Sequence, residues 1–461
     1  MKVNDTDPRV SAMAEDWTLI DSLLGGTRSM RAAGTRYMPR FGLEDQADYK
    51  ARLSLATLFP ALDQTIREMT GRVFAEEIGT QDVSPWIVDE VWPNIDMQDA
   101  SGHAFAREWW RCSLAYGLAH VLVESPMAPE VRTQADQLAS GVRPYCILLH
   151  PNRVLGWQIG SDGALSQLRL TWSRTEPGEF GAVTVDQIRV YETRPGATVW
   201  VRVFEKRKAA NVEETWVEVE QIETGADFIP LATFYTGKVA TMEAVPPLRE
   251  LAYLNAKHWA QQCSTDALLQ VASVPILCAI GIDDETSIAI GAKSAVKISN
   301  PNGKLAFVEH SGAAIGAGRQ SLLDLEQQMK AIGAKLIEQG AAAKTATQAG
   351  EEAASSNSVL GGWVRDFRDA MNAMLDIIAS YRGEATGGTV EINADLDPDS
   401  VPNETMTVLG KMVATGGLSR QTQFAEAQRR GLVSSELTWE DEQTRIETDG
   451  PSEPEPVQVT P

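Results

Sequence analysis

The chain is poor in the residues that staple, ligate or grip. Its four cysteines among 461 residues, Cys112, Cys146, Cys263 and Cys278, are widely spaced and form no Cys-x-x-Cys pair. That excludes a disulfide framework and a zinc site of ordinary spacing, and a reducing compartment is the expectation. The five histidines, His103, His120, His150, His258 and His310, fall on different predicted elements and are read as structural. No apolar run approaches the roughly 20 residues that cross a bilayer, and none follows Met1-Lys2-Val3-Asn4-Asp5, so a soluble protein without an export signal is expected. Basic residues are outnumbered by acids, 41 to 63, for a net charge of −22. A protein that grips nucleic acid by neutralising phosphates needs the opposite balance.

Catalytic motifs are missing as well. Gly237-Lys238 has Ala232 where a phosphate-cradling loop needs glycine, and Gly303-Lys304 is followed by Leu305 instead of serine or threonine. Gly312 to Gly318 does not match a dinucleotide fingerprint and reads as a hinge into the next helix. Asp283-Asp284-Glu285 could offer oxygen ligands to a divalent cation, although adjacent acids of this kind more often make a solvated turn or helix start. No serine nucleophile elbow or HExxH helix occurs, and no cofactor or metal is expected.

What the chain does contain is enough apolar residue, 43%, to bury two or three domains. From Ala12 to about Phe74 it reads mainly as helix, interrupted at Gly25-Gly26. Leu55, Leu58, Leu62, Ile66 and Met69 form the stripe of the last of these helices, with Pro60 as a kink. A helix from about Ala100 to Leu118 carries Trp109 and Trp110, read like Trp363 as core or interface residues, and passes into the strand-like Ala119 to Glu124. From Pro144 to about Tyr235 the period becomes alternating. Strands near 154–159, 165–172, 187–191, 198–204 and 215–219, joined by short turns, predict antiparallel pairing. Pro246-Pro247 opens a helix to about Gln270, followed by short extended pieces at 274–280, 295–298 and 304–308.

A long helix-forming stretch then runs from Ser321 to Tyr381, broken between Gly340 and Gly350. Before the break, Leu322, Leu325, Met329, Ile332 or Gly333, Leu336 and Ile337 recur at helical spacing; after it, Val359, Trp363, Phe367, Met371, Met374 or Leu375, and Ile378 do the same. Between them stand only small and polar residues, so two helices are expected to meet at a corner with few large side chains. Helices at Thr405–Thr415 and Arg420–Arg430 follow, Ser419 capping the second. The tail from Glu440 carries seven acids against one base and is expected to end in disorder.

This order resembles the portal proteins of tailed bacteriophages, and in particular a portal-like phage family long labelled as of unknown function. The likeness is carried by Tyr37-Met-Pro-Arg with Tyr49-Lys-Ala-Arg-Leu and Gly71-Arg-Val-Phe. It continues in Pro246-Pro-Leu-Arg-Glu-Leu-Ala-Tyr-Leu-Asn, Glu326-Gln-Gln-Met-Lys-Ala-Ile-Gly-Ala-Lys-Leu-Ile, Thr345-Ala-Thr-Gln-Ala to Ser358-Val-Leu, and Gly417-Leu-Ser with Arg429-Arg-Gly. The resemblance implies an α+β portal fold: a wing over 1–242, a stem helix over 243–273, a clip over 274–311 and a second stem helix over 312–339. A tunnel loop over 340–350, a connecting helix and strand over 351–400, a short crown over 401–445 and a disordered acidic tail over 446–461 would complete it.

By the same resemblance the chain is not an enzyme. It would form a ring, usually of twelve subunits, at one capsid vertex of a virion assembled in the host bacterial cytoplasm. Its partners would be double-stranded DNA read without sequence preference, the terminase large subunit, a head-tail adaptor, and the major capsid and scaffold proteins, with no membrane. Lys344, Thr345, Thr347, Gln348, Lys335 and Lys330 would line the DNA channel, at most one of Lys330 and Lys335 pointing inward. Asp283, Asp284, Glu285, Lys293, Lys297 and Lys304 would lie on the clip that meets terminase and adaptor. Acidic channel walls would then favour sliding of DNA over binding. The rival reading is a soluble cytosolic α+β enzyme whose active site carries no recognised motif.

Overall fold

The computed structural model describes the chain except residues 1, 126–141, 195–197, 208–214, 273–275, 281–303, 309–312, 338–345, 393–408, 430–432, 434–436 and 450–461. It divides into two compact units, Met1–Leu396 and Asp397–Pro461. The first mixes helices with antiparallel sheet, as the alternation of sequence periods implies.

Its first helix, α1 (Pro8–Leu24), starts where Asp7 accepts a hydrogen bond from the Arg9 backbone N–H and proline occupies the first turn. It is followed by α2 (Gly26–Ala33), α3 (Gln46–Leu55) and α4 (Ala61–Val73). The expected kinked helix through Pro60 is instead two helices. Leu55 ends α3, Leu58 lies in the connection, and Pro60 stands just before α4, where its missing N–H costs nothing. The next helix, α5 (Gly102–Tyr116), is capped by Ser101 and stops at Gly117, whose φ of 87° is left-handed. A Cβ there would stand 2.8 Å from the Val245 backbone, so both the turn and the close approach require glycine.

Between α4 and α5 lies the short strand β1 (Gly79–Gln81). The chain leaves Gly117 directly into β2 (Leu118–Glu124), the buried centre of a three-stranded antiparallel sheet ordered β3–β2–β9, with β3 at Tyr145–Leu149 and β9 at Leu231–Tyr235. Strands β4 (Val154–Ile159), β5 (Leu165–Gly178), β6 (Gly181–Thr193), β7 (Val199–Arg207) and β8 (Thr215–Glu223) form a second sheet in sequence order, every pair antiparallel. This is the meander that the alternating pattern predicts. β5 and β6 outrun their neighbours and project as a two-stranded ribbon tipped by the exposed Phe180.

After the short hairpin β10 (Lys238–Ala240) and β11 (Glu243–Ala244), the helix α6 (Arg249–Ala272) leads to strands β12 (Ile276–Ile280) and β13 (Lys304–Val308), which pair antiparallel. The piece expected at 295–298 lies outside the described residues. The next helix, α7, spans Ala313–Ile337 and so begins eight residues before Ser321; the supposed glycine hinge is helical over 313–318. Gly318 packs against Thr265, where a Cβ would come within 3.2 Å of its hydroxyl. The helix α8 (Ala346–Ser380) resumes ahead of Gly350. Alanine-rich sequence favours helix, and residues 346–350, expected within the loop, are helical.

The C-terminal half of α8 lies on the three-stranded sheet. Phe367 is fully buried, with ring centroids 5.5 Å from Trp109, 5.4 Å from Trp110 and 4.8 Å from Phe234. Just beyond the helix, the Tyr381 hydroxyl donates to the Val123 carbonyl at 3.0 Å, and the Arg382 guanidinium sits 3.8 Å over the Trp86 ring. Strand β14 (Thr389–Glu391) then pairs with β1. In the second unit, residues 409–414 are helical, as are α9 (Arg420–Arg429) and α10 (Trp439–Asp449). The last of these runs four residues into the stretch expected to be a disordered tail. No helix among the described residues is long and apolar enough to cross a membrane.

Replacing Phe367 with alanine opens a void among four aromatic rings and is expected to cost about 3–5 kcal/mol of stability in urea unfolding. Phe180→Ala, at the solvated ribbon tip, is expected to change stability by less than about 0.5 kcal/mol.

Candidate functional site

The segment singled out by sequence, α6 through α8, is built on two long helices. On α6, Leu251, Ala252, Trp259 and Cys263 are buried. The fully buried Asn255 bonds two backbone groups at once. Its side-chain oxygen accepts from the Leu62 N–H at 3.1 Å, and its amide donates to the Phe59 carbonyl at 2.9 Å. Pro60 offers α4 no capping side chain, so Asn255 satisfies a backbone donor at the start of that helix from 193 residues away. On α7, Leu325 and Met329 are buried. Thr265 faces Gly318, and His258, seven residues earlier, reaches Glu326, eight residues later. The two helices therefore run antiparallel, and the β12–β13 hairpin lies between them in sequence.

Of the expected channel residues, Lys330 is exposed on α7. Lys335 belongs to the same helix, and Thr347 and Gln348 to the first turn of α8. Lys344 and Thr345 lie outside the described residues. On the clip side, Lys304 is exposed at the start of β13, opposite Ile280. Asp283, Asp284, Glu285, Lys293 and Lys297 lie outside the described residues. No group of three or more metal-ligating side chains occurs among the described residues.

Two polar clusters have no signature in the sequence. The first is a cavity of about 470 Å³ between α6, α7 and the turn at 57–60, lined by His258, Gln262, Thr265, Arg319 and Glu326. The His258 imidazole is almost wholly buried beside the Phe59 ring, with Nε2 3.5 Å from Glu326. Burial pushes its pKa below the ordinary value, and the facing Glu326 carboxylate only partly opposes this. His258 and Trp259 are alternatives for the apolar face by periodicity, yet both are buried, because α6 is covered on more than one side.

The second cluster joins the two sheets. Glu124, ending β2, accepts from the Tyr191 hydroxyl, from Arg189 at 3.0 Å and from Tyr145 at 3.1 Å. The guanidinium of Arg189 also lies 4.1 Å over Trp172. Burial, reinforced by Glu124, raises the Tyr191 pKa well above the ordinary value and that of Tyr145 to about 12, so both phenols stay donors. Strand periodicity shows which face a residue occupies, but not that Glu124 meets partners 65 and 67 positions away.

A family model described only as a domain of unknown function (DUF4055) matches residues 247–382, which span α6, the β12–β13 pair, α7 and the whole of α8. Among solved structures, a chain from the neck of an empty GTA particle, computed with C6 symmetry, is 14% identical with a TM-score of 0.44, covering 79% of this chain and 88% of that one. A chain from the neck of the native GTA particle, with C12 symmetry, gives 12% and 0.40 over 79% and 88%. A chain from the virion of the native gene transfer agent particle gives 13% and 0.40 over 86% and 97%. No characterised protein matches by sequence. Fold likeness at this level leaves function to be argued from the chain's own residues.

His120 supplies a second buried imidazole. It sits against the Thr233 hydroxyl at 2.8 Å, and burial lowers its pKa to about 3. Both histidines are neutral when folded and take up protons on unfolding below pH 6.5, so they contribute stability above that pH that is lost as the pH falls toward their folded values. Thermal melts at stepped pH are expected to show declining stability below pH 6.5, and His120→Asn is expected to flatten part of that slope.

Proposed function

We propose that the chain is a portal-type subunit of a tailed phage or phage-like particle. Twelve copies would form a ring at one capsid vertex, through which terminase drives DNA inward, where DNA is retained, to which the head-tail adaptor attaches, and from which DNA leaves at infection. The observation that supports this most is the order and pairing of elements. An antiparallel pair of long helices flanks a small pair of antiparallel strands in the sequence, and a third long helix follows, its far half locked into the core by Phe367. This is the sequence of parts that the resemblance calls stem, clip, tunnel loop and connecting helix. The order supports the reading because a conduit needs rigid walls around its axis and a side-chain-poor corner beside it.

In this reading α6 and α7 are the stem, β12 and β13 the described strands of the clip, and residues 340–350 the tunnel loop. Lys344 is the cation that would touch a phosphate there, with Thr345, Thr347 and Gln348 beside it. The −22 net charge suits a channel that DNA crosses without adhering. The crown would be small, formed by α9, α10 and the helical turn at 409–414.

Native mass measurement and negative-stain imaging of the purified chain, alone and with capsid components, are expected to show a ring of about twelve subunits by the resemblance and by the preference of oligomers for closed symmetry. A chain that stays monomeric in both settings overturns the portal reading. Lys344→Ala is expected to leave the ring intact while reducing DNA packaging or retention; collapse of the ring instead would show that the loop serves assembly.

A further inference from the structure

On the flank of α6 beside α3, next to the side taken by α7, the chain presents an apolar surface held in place by a buried ion pair. Arg52 on α3 meets Glu44 through two hydrogen bonds of 2.7 Å, both side chains less than a tenth exposed. The guanidinium also packs 4.2 Å over the Phe41 ring. Burying two charges is costly, and here the pair fixes the loop before α3 with its apolar side chains facing out. Phe41 is 52% exposed and Leu43 fully exposed, with Leu55 at 51%. Together with Ala267 of α6 they line a groove of about 470 Å³ whose rim carries the carboxylates of Asp48 and Asp266.

The same helix carries a complementary stripe. Tyr253, Lys257 and Leu268 fall on one side of α6, at spacings of four and eleven, and all three are exposed. Nine residues separate Lys257 from Asp266, which at 3.6 residues per turn places them about half a turn apart, on opposite sides. One flank of the stem is thus apolar and acidic, and the other apolar and basic at its centre. Tyr253 already donates to Asp16 of α1 at 2.9 Å in the same copy, whereas Lys257, half a turn from Asp266, cannot reach that carboxylate within one copy. The arrangement matches a head-to-tail contact, in which each copy offers its stripe to the groove of the next and the ring closes when the last groove is filled.

We infer that the groove between Phe41, Leu43, Leu55 and Ala267 receives the Tyr253–Lys257–Leu268 stripe of a second copy of this chain, with Lys257 of that copy against Asp266 and Asp48. The inference rests on the ring reading and gives it a specific subunit interface. Other occupants, such as a basic segment of an unrelated protein, would leave self-assembly indifferent to these residues.

The test is a charge exchange in the full chain. Lys257→Asp and Asp266→Lys are each expected to raise the concentration of half-assembly at least roughly tenfold, because like charges then face each other, and the double variant is expected to restore it. Native mass reads the outcome, with thermal melts confirming that each variant is folded. As a second measurement, Leu43→Cys combined with Leu268→Cys is expected to give a ladder of covalent oligomers with a bismaleimide, which neither single variant gives. If the wild-type chain forms rings and both charge variants assemble equally well, the interface is overturned while the ring reading stands. Loss without restoration in the double variant, together with no ladder, overturns it too. A wild-type chain that never oligomerises, even with capsid components, removes both.

Discussion

The structure of the first unit depends on the burial of one ring, that of Phe367. It sits where α4, α5, the three-stranded sheet and α8 converge, touching Trp109, Trp110, Phe74 and Phe234. Edge-to-face packing of this kind fixes both distance and angle, so the axis of α8 is set relative to the sheet by side-chain geometry and not by backbone pairing alone. The turn after the helix repeats the constraint with polar groups. Tyr381 binds the β2 backbone, Arg382 stacks on Trp86, and Trp86 in turn donates to Glu384 at 2.8 Å. One half of a 35-residue helix is thereby held at several independent points.

The two sheets are coupled by a different interaction. Glu124 ends the central strand of one sheet and gathers donors from β6 of the other, so a single carboxylate serves as the joint between them. Its cost of burial is met by three donors, the condition under which a buried charge is tolerated. The α6–α7 pair has its own joint in His258 and Glu326, set in a cavity large enough for several water molecules. The molecule thus combines an aromatic core with polar seams at the places where its layers meet.

Much of this was legible in the sequence. The antiparallel meander, the helix after Pro246-Pro247 and the returning helix all follow from changes of hydrophobic period. Boundaries were less legible. Pro60 reads as a kink because Leu55 to Met69 keeps helical spacing, yet proline at the head of α4 satisfies the same spacing in two helices. Gly316 and Gly318 read as a hinge, but the packing of Gly318 against Thr265 makes the absence of a side chain useful inside a helix. Of the residues expected to line a channel, Lys344 and Thr345 lie outside the described residues; the polar seams were invisible in the sequence, because Glu124, Asn255 and His258 find partners far away in the chain.

The Asn255 side chain has a consequence for the order in which the chain is made. The Leu62 N–H at the head of α4 has its partner 193 residues downstream, and β1 waits for β14, where Gly79 pairs with Glu391. An emerging chain can coil α4 early, but it cannot close either contact until most of the first unit has left the ribosome. The N-terminal helices are therefore completed by residues synthesised long after them, which ties the final form of these contacts to arrival of the later part of the unit.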